Sequence, residues 1–438
     1  MELKNNYKIV SFILIFLSLL SFFLGFYLDE NSAGGGTYFG DWMFAWPNLQ
    51  IFLNNDISEG INHENLLTNR TPLLYILHKL FNPFAGSEIG YRRSVFIFSL
   101  LTPVLFYLCL KQKFKKEDNL LLALIASTIF LSPYFRTSSY WGLEENYGLI
   151  SLLFSFIFLN SFLENKQENN YKIYFQLSLL IFFSSLCIYF DQKLLFVTII
   201  CFLMIITSKK KNNLKIFSIF LYIILSLPYI YLISLWGGLF PTDLTESRNL
   251  GNKLYFDHIG YAATIIAFYF VPFLFFKKEN VFNLLKITFS QRSNYYFLLL
   301  FFTYVFALII LSYLTNESSL NIDVSLGKGY IHKLSYIFFE KNLIREIFIY
   351  SAFIISWIII LIFINRNFKD SLIILYLFFI SLITLPVLQE YFDPLILILI
   401  FTFFDQKIFV NYKNVVILFL YFSFFLIGSN IYYYNLLN

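Results

Sequence analysis

The stretch Ser11-Phe12-Ile13-Leu14-Ile15-Phe16-Leu17-Ser18-Leu19-Leu20-Ser21-Phe22-Phe23-Leu24-Gly25-Phe26-Tyr27-Leu28 decides the fold class. It contains no Asp, Glu, Lys or Arg, and as a helix rising 1.5 Å per residue it nearly spans a hydrocarbon layer about 30 Å thick. The pattern recurs, for instance from Ile216 to Leu235. Over 438 residues, 58% are hydrophobic and 13% charged, against about 25% charged in soluble domains. That polar supply cannot cover a water-soluble particle of this size, whereas a lipid-facing surface needs no cover. Leu28-Asp29-Glu30 is a poor small-residue cleavage site, so the first run reads as an uncleaved span and not a signal peptide.

Apolar runs and their flanking charges predict an all-α, polytopic transmembrane bundle of about 13 spans. They fall near 9–28, 94–110, 119–132, 147–163, 173–190, 193–208, 216–235, 260–276, 295–314, 347–364, 371–387, 394–405 and 415–434. Residues 1–438 then read as one transmembrane domain with no appended soluble part. With the N-terminus in the cytoplasm, the cytoplasmic segments hold 20 of the 32 Lys and Arg and 8 of the 27 Asp and Glu. Short basic segments such as Lys209-Lys210-Lys211 are what the positive-inside rule requires. The long connections 29–93, 236–259 and 315–346 lie on the other side. Loops on a rigid scaffold carry function disproportionately, so the work is expected on the outer face.

The net charge of +5 forms no nucleic-acid stripe. Cys109, Cys187 and Cys201 all fall in apolar runs, which suits packing and gives no disulfide framework. The histidines are scattered without metal-binding spacing, and no GxxxxGK[ST] loop is present, so neither a zinc site nor coupling to ATP is expected.

Ionisable groups at membrane depth are costly and mark candidate sites. In the first loop, Asp41 follows Gly34-Gly35-Gly36 and Gly40 and precedes an aromatic stretch through Trp42 to Gln50. A partly apolar setting raises a carboxylate's pKa and suits general-base work; capping the following helix is the alternative. Arg70, before Thr71-Pro72, could meet a phosphate or simply anchor at the interface. The second outer loop, Ser132 to Asn146, carries Arg136, Glu144 and Glu145 among aromatics, a combination that suits sugar binding or an interfacial belt. Asp191-Gln192-Lys193 could be a self-contained ion pair, or Lys193 could reach a lipid phosphate. His258, and the acidic turn Gln389-Glu390-Tyr391-Phe392-Asp393-Pro394, complete the candidates. Asn69-Arg70-Thr71 and Asn316-Glu317-Ser318 match glycosylation acceptors, a pattern frequent by chance.

Taken together, the residues resemble the GT-C glycosyltransferases, and within them the dolichyl-phosphate-glucose α-1,2-glucosyltransferase family. Asp41-Trp42-Met43-Phe44-Ala45-Trp46-Pro47-Asn48-Leu49-Gln50 follows the order of that family's first lumenal loop. Thr71-Pro72-Leu73-Leu74-Tyr75 is similar to its Leu-Pro-Gly-Leu-Tyr. Tyr189-Phe190-Asp191-Gln192 and Gln389-Glu390-Tyr391-Phe392-Asp393-Pro394 are similar to two later motifs. The resemblance implies an inverting, metal-independent transfer of a sugar from a polyprenyl-phosphate donor to a glycan or lipid-linked acceptor. Asp41 would be the general base. Arg70, Arg136 and Lys193 would hold the donor phosphate. Trp42, Gln50, Glu144, Glu145, Asp191, Gln192, His258, Glu390 and Tyr391 would line the substrate site. Usage of Asn, Ile, Phe and Lys suits an AT-rich bacterial genome, which makes the bacterial inner membrane the expected location and a cell-envelope glycan the expected product. A transporter or flippase of lipid-linked sugars, and a polymerase or ligase of pyrophosphate-linked chains, remain open readings.

Overall fold

The computed structural model describes residues 2–36, 40–68, 70–165, 171–238, 254–315, 320, 327–364, 368–384, 386–405 and 408–437. Asn69 of the first glycosylation motif, all of the second and most of the 236–259 connection lie outside them. The described residues are all-helical. The chain divides into two compact units, the first Met1–Ser247 with Asn411–Asn438, the second Arg248–Val410.

The first unit contains helices α1 (Glu2–Tyr27), α2 (Trp42–Asn54), α3 (Leu73–Phe81), α4 (Glu88–Lys113), α5 (Asn119–Leu131), α6 (Pro133–Trp141), α7 (Glu145–Glu164), α8 (Tyr171–Phe190), α9 (Leu195–Thr207), α10 (Asn212–Trp236) and, from the C-terminus, α11 (Tyr412–Leu437). Among the described residues of the whole chain, nine helices are long and apolar enough to cross a membrane, or ten if the bent pair α5 and α6 counts as one span. The expected thirteen are not reached among the described residues. The shortfall has a physical cause: an apolar run is not a span unless it is long enough. The 193–208 run gives a helix of 13 residues and the 394–405 run one of 7, while 371–387 outruns the 16-residue helix Phe368–Ile383.

The expected loop 133–146 is mostly helix. Ser132 caps α6 by accepting from the Phe135 amide at 3.0 Å, Pro133 opens it, and Gly142 closes it in the left-handed conformation at φ +67°. This helix turns 69° from α5, and all its residues are buried. A helix wholly buried yet rich in Tyr, Ser, Thr and Arg must satisfy its polar groups internally. Tyr140 donates to the Phe22 carbonyl at 2.7 Å, and Arg136 donates to the Phe130 carbonyl at 3.0 Å and the Ser21 carbonyl at 2.8 Å. Around it sit Phe22, Phe96, Phe130 and Phe135, with Phe22 stacked on Phe96 at 5.1 Å and on Phe135 at 5.5 Å.

Helices α7 and α8 approach through small residues, as membrane helices do. Ser151, Ser155, Ser184 and Cys187 are buried, and a Cβ on Gly148 would lie 2.8 Å from the Leu194 methyl. The connections of this unit sort to two ends. Lys8–Asp118 at 3.5 Å, Lys115–Glu164 at 2.8 Å and Tyr412 donating to Asp118 at 2.8 Å gather one end. The described residues of 28–36, 40–68, 70–87, 132–144 and 191–194 lie at the other ends of the same helices.

In the second unit, α12 (His258–Phe270) is buried along its length and packs on α13 (Asn342–Phe363), where a Cβ on Gly260 would overlap the Phe353 ring. Phe301 and Trp357 stack at 4.5 Å beside them.

Candidate functional site

The first loop is folded onto α6, and this fixes Asp41. Asn31 and Gly36 exchange hydrogen bonds at 2.8 and 3.1 Å, Ser32 donates to the Pro133 carbonyl at 3.0 Å, and the Ala33 amide donates to Thr137 Oγ1 at 3.0 Å. A Cβ on Gly40 would overlap the Gly34 carbonyl, so glycine lets the loop close on itself immediately before Asp41. Asp41 stands at the entrance of α2 with helical backbone, and its side chain forms no capping hydrogen bond. Its carboxylate lies close enough to Glu144 to raise that group's pKa. Trp42 is buried, stacked on Trp46 at 5.7 Å and against Trp141 at 5.8 Å, so an aromatic wall begins at the residue after Asp41.

Arg70 connects the remaining parts. Its Nη1 lies 3.2 Å from Glu144 and its Nη2 pairs with Glu145. Glu145 also accepts from Tyr134 at 2.7 Å and from Ser138 at 3.3 Å. Lys193 pairs with Asp191 at 3.0 Å and lies 5.6 Å from the Tyr134 ring. The result is a continuous chain of alternating charge: Asp191, Lys193, Glu145, Arg70, Glu144, with Asp41 beyond. Burial lowers the Arg70 pKa, but Glu145, Glu144 and Asp191 together overcome it and hold the guanidinium charged. Four carboxylates then face two cations. Glu145 has two hydroxyl donors as well as Arg70, so Glu144 is the glutamate that takes a proton more readily. Burial raises the Glu144 pKa, Arg70 opposes, and the Glu145 and Asp41 charges raise it further.

The sequence candidates therefore part company. Asp41, Trp42, Arg70, Glu144, Glu145, Asp191 and Lys193 come together at one end of the first unit, and Gln192 bonds the Tyr229 side chain beside them. Arg136 does not join the phosphate-binding group expected of it. Only 2% of its side chain is exposed, and it binds Glu30 through Nε at 2.8 Å and through Nη2, besides the two carbonyls of α1 and α5. It holds α1 to α6. Gln50 lies nine residues along α2 from Asp41, about 13 Å of helix, and its Nε2 is buried without a hydrogen-bond partner among the described residues.

His258, Glu390 and Tyr391 belong to the second unit. His258 Nδ1 lies 3.0 Å from the Ser381 carbonyl and Nε2 lies 3.9 Å from Asp257. Tyr391 donates to the Pro386 carbonyl at 3.3 Å. Glu390 faces Lys333, whose pKa falls to about 8 because burial outweighs that carboxylate. Lys328 is also buried there, in left-handed backbone at φ +62° between Gly327 and Gly329, donating to the Leu320 carbonyl at 2.7 Å. Neither lysine was singled out from sequence; the Gly-Lys-Gly triplet was the available signal. Tyr134 and Ser138 were also missed, although their helical spacing of four places them on one face. Among the described residues, no group of three or more His, Cys, Asp or Glu is arranged to hold a metal ion.

Compared with protein-family models, curated proteins and solved structures, the chain matches none.

Proposed function

We propose that this chain is a membrane glycosyltransferase that takes a sugar from a polyprenyl-phosphate donor and passes it, with inversion, to a glycan or lipid-linked acceptor. The observation that carries this reading is the convergence of Asp41, Arg70, Glu144, Glu145, Asp191 and Lys193 beside an aromatic wall, at one end of a bundle whose helices are apolar enough for a bilayer. A lipid tail can stay in hydrocarbon there while its head group meets charge. The motif resemblance to GT-C enzymes points the same way. In this reading the charged end faces away from the cytoplasm, the N-terminus is cytoplasmic, and the membrane is the bacterial inner membrane.

In the reaction the acceptor oxygen forms a bond to the anomeric carbon as the carbon–oxygen bond to phosphate breaks. The electron pair leaves with the polyprenyl phosphate, and the acceptor proton passes to Asp41. Arg70 is engaged by two glutamates in the resting site, so a phosphate must compete for it. Protonation of Glu144 releases Nη1 and offsets the arriving negative charge, and Lys193 can turn from Asp191 to the same anion. No metal enters this scheme.

Asp41→Asn is the direct test. In membranes supplied with lipid-linked donor, loss of a positioned base is expected to slow transfer by about 10²–10⁴-fold. Wild-type turnover by this variant would remove Asp41 from the role. Reconstituted vesicles that move lipid-linked sugar across the bilayer without transferring it would replace the enzyme reading with a flippase.

A further inference from the structure

Helix α10 contains Pro228, which has no amide hydrogen and so breaks one rung of the ladder. The next rung is met by a side chain. The Tyr229 amide donates at 3.0 Å to the hydroxyl of Tyr189, and that hydroxyl donates at 2.6 Å to the Leu225 carbonyl. A side-chain hydroxyl from α8 thus binds both backbone groups of the rung between residues 229 and 225. Insertion of a side chain into the ladder beside a proline is a recognised cause of helix bending.

Tyr189 is tied at its other end to the charged cluster. Its main-chain carbonyl accepts from Thr71 Oγ1, one residue from Arg70, and Asp191 follows two residues later. Gln192 bonds the side chain of Tyr229 in the same place. Only 11% of the apolar window of α10 is buried, so most of what touches this helix in a membrane is lipid. We infer that Tyr189 is a positioning residue, coupling the Pro228 break in lipid-facing helix α10 to the seat of Arg70 between Glu144 and Glu145. The coupling deepens the proposed transfer reading but is testable without it, because burial raises the Glu144 pKa and Arg70, 3.2 Å away, opposes that shift whether or not any sugar moves. The other groups facing Glu144 are Glu145, Asp41, Tyr75 and Tyr91.

The test is Tyr189→Phe, which keeps the ring and removes the hydroxyl. Three quantities are measured on the full chain in detergent: exchange of the Tyr229 amide, the pH dependence of Tm, and binding of polyprenyl phosphate. Exchange at Tyr229 should quicken. The pH at which Tm falls should move, and should not move when Tyr189→Phe is made in a Glu144→Gln background. Polyprenyl phosphate should bind about 2- to 10-fold more weakly, the worth of one hydrogen bond. Adding Pro228→Ala to Tyr189→Phe lets α10 complete its own ladder. Protection should return while the shifted pH profile stays. An unmoved pH profile in Tyr189→Phe, or its return to wild type in the double variant, would reduce Tyr189 to a helix prop and overturn the inference. If the wild-type chain binds no polyprenyl phosphate, the transfer reading fails, and the pH profile still decides the coupling.

Discussion

Arg70 and Arg136 look alike in the sequence, each near aromatics and acids in an outer segment, yet they do different work. Arg136 has both edges of its guanidinium committed to Glu30 and to main-chain carbonyls. Breaking a buried pair of this kind costs about 3–5 kcal/mol because the remaining charge is left uncompensated. Arg70 instead sits between two glutamates of unequal standing, and in the proposed reaction a proton on Glu144 frees it for the donor phosphate. The native state raises the Glu144 pKa above the value of about 4.3 in an unfolded chain. Between those two values the folded form holds more protons than the unfolded form, so stability falls as pH rises through that window. Melting in detergent from about pH 5 to about pH 8 should therefore show a decline in Tm that Glu144→Gln flattens. A Glu144→Gln profile as steep as wild type would show that some other group titrates.

Helix α6 is the element on which the site is built. Its capping signals, Ser132 and Pro133 at one end and Gly142 at the other, are all visible in the sequence. What hides them is the density of aromatic and polar residues, which reads as an interfacial loop. Only burial on every side makes such a segment a helix, since its hydroxyls and Arg136 then find partners on α1 and α5. Gly142 is where this arrangement is least tolerant. Tyr91 donates to its carbonyl at 2.5 Å, and a Cβ there would overlap the Tyr91 ring. Gly142→Ala is expected to lose about 1–2 kcal/mol from the left-handed backbone alone, with the overlap added. Thermal denaturation of the purified variant measures it, and a Tm equal to wild type would mean that α6 can end in another way.

At the scale of the molecule, the basic segments of the first unit and its charged cluster occupy opposite ends of the same helices. The proposed function needs the cluster outside. Cys109, Cys187 and Cys201 are buried, so added cysteines can be read without background from them. With an impermeant maleimide, Glu59→Cys should label on intact cells and Lys209→Cys only after lysis. The opposite pattern would place the cluster in the cytoplasm and end the outer-face reading. Charge bias was legible without coordinates because it depends on short segments next to apolar runs. The number of spans was not. Hydropathy marks apolar residues, and packing decides whether they cross, stop short as at Leu195–Thr207, or turn aside as at Pro133.

Sequence alone determined that the chain is helical and suited to a bilayer, because a low charge content with long apolar runs leaves no water-soluble alternative. It also determined which polar residues deserved notice, since ionised groups near hydrocarbon are expensive wherever they fall. Tertiary structure decided which of them act together. Asp41, Arg70, Glu144 and Asp191 are scattered over some 150 residues, and only the folding of the first loop onto α6 and the close approach of α7 to the Asp191 turn brings them within reach. Salt bridges and shifted proton affinities depend on separations of a few ångströms, and no spacing along the chain encodes those.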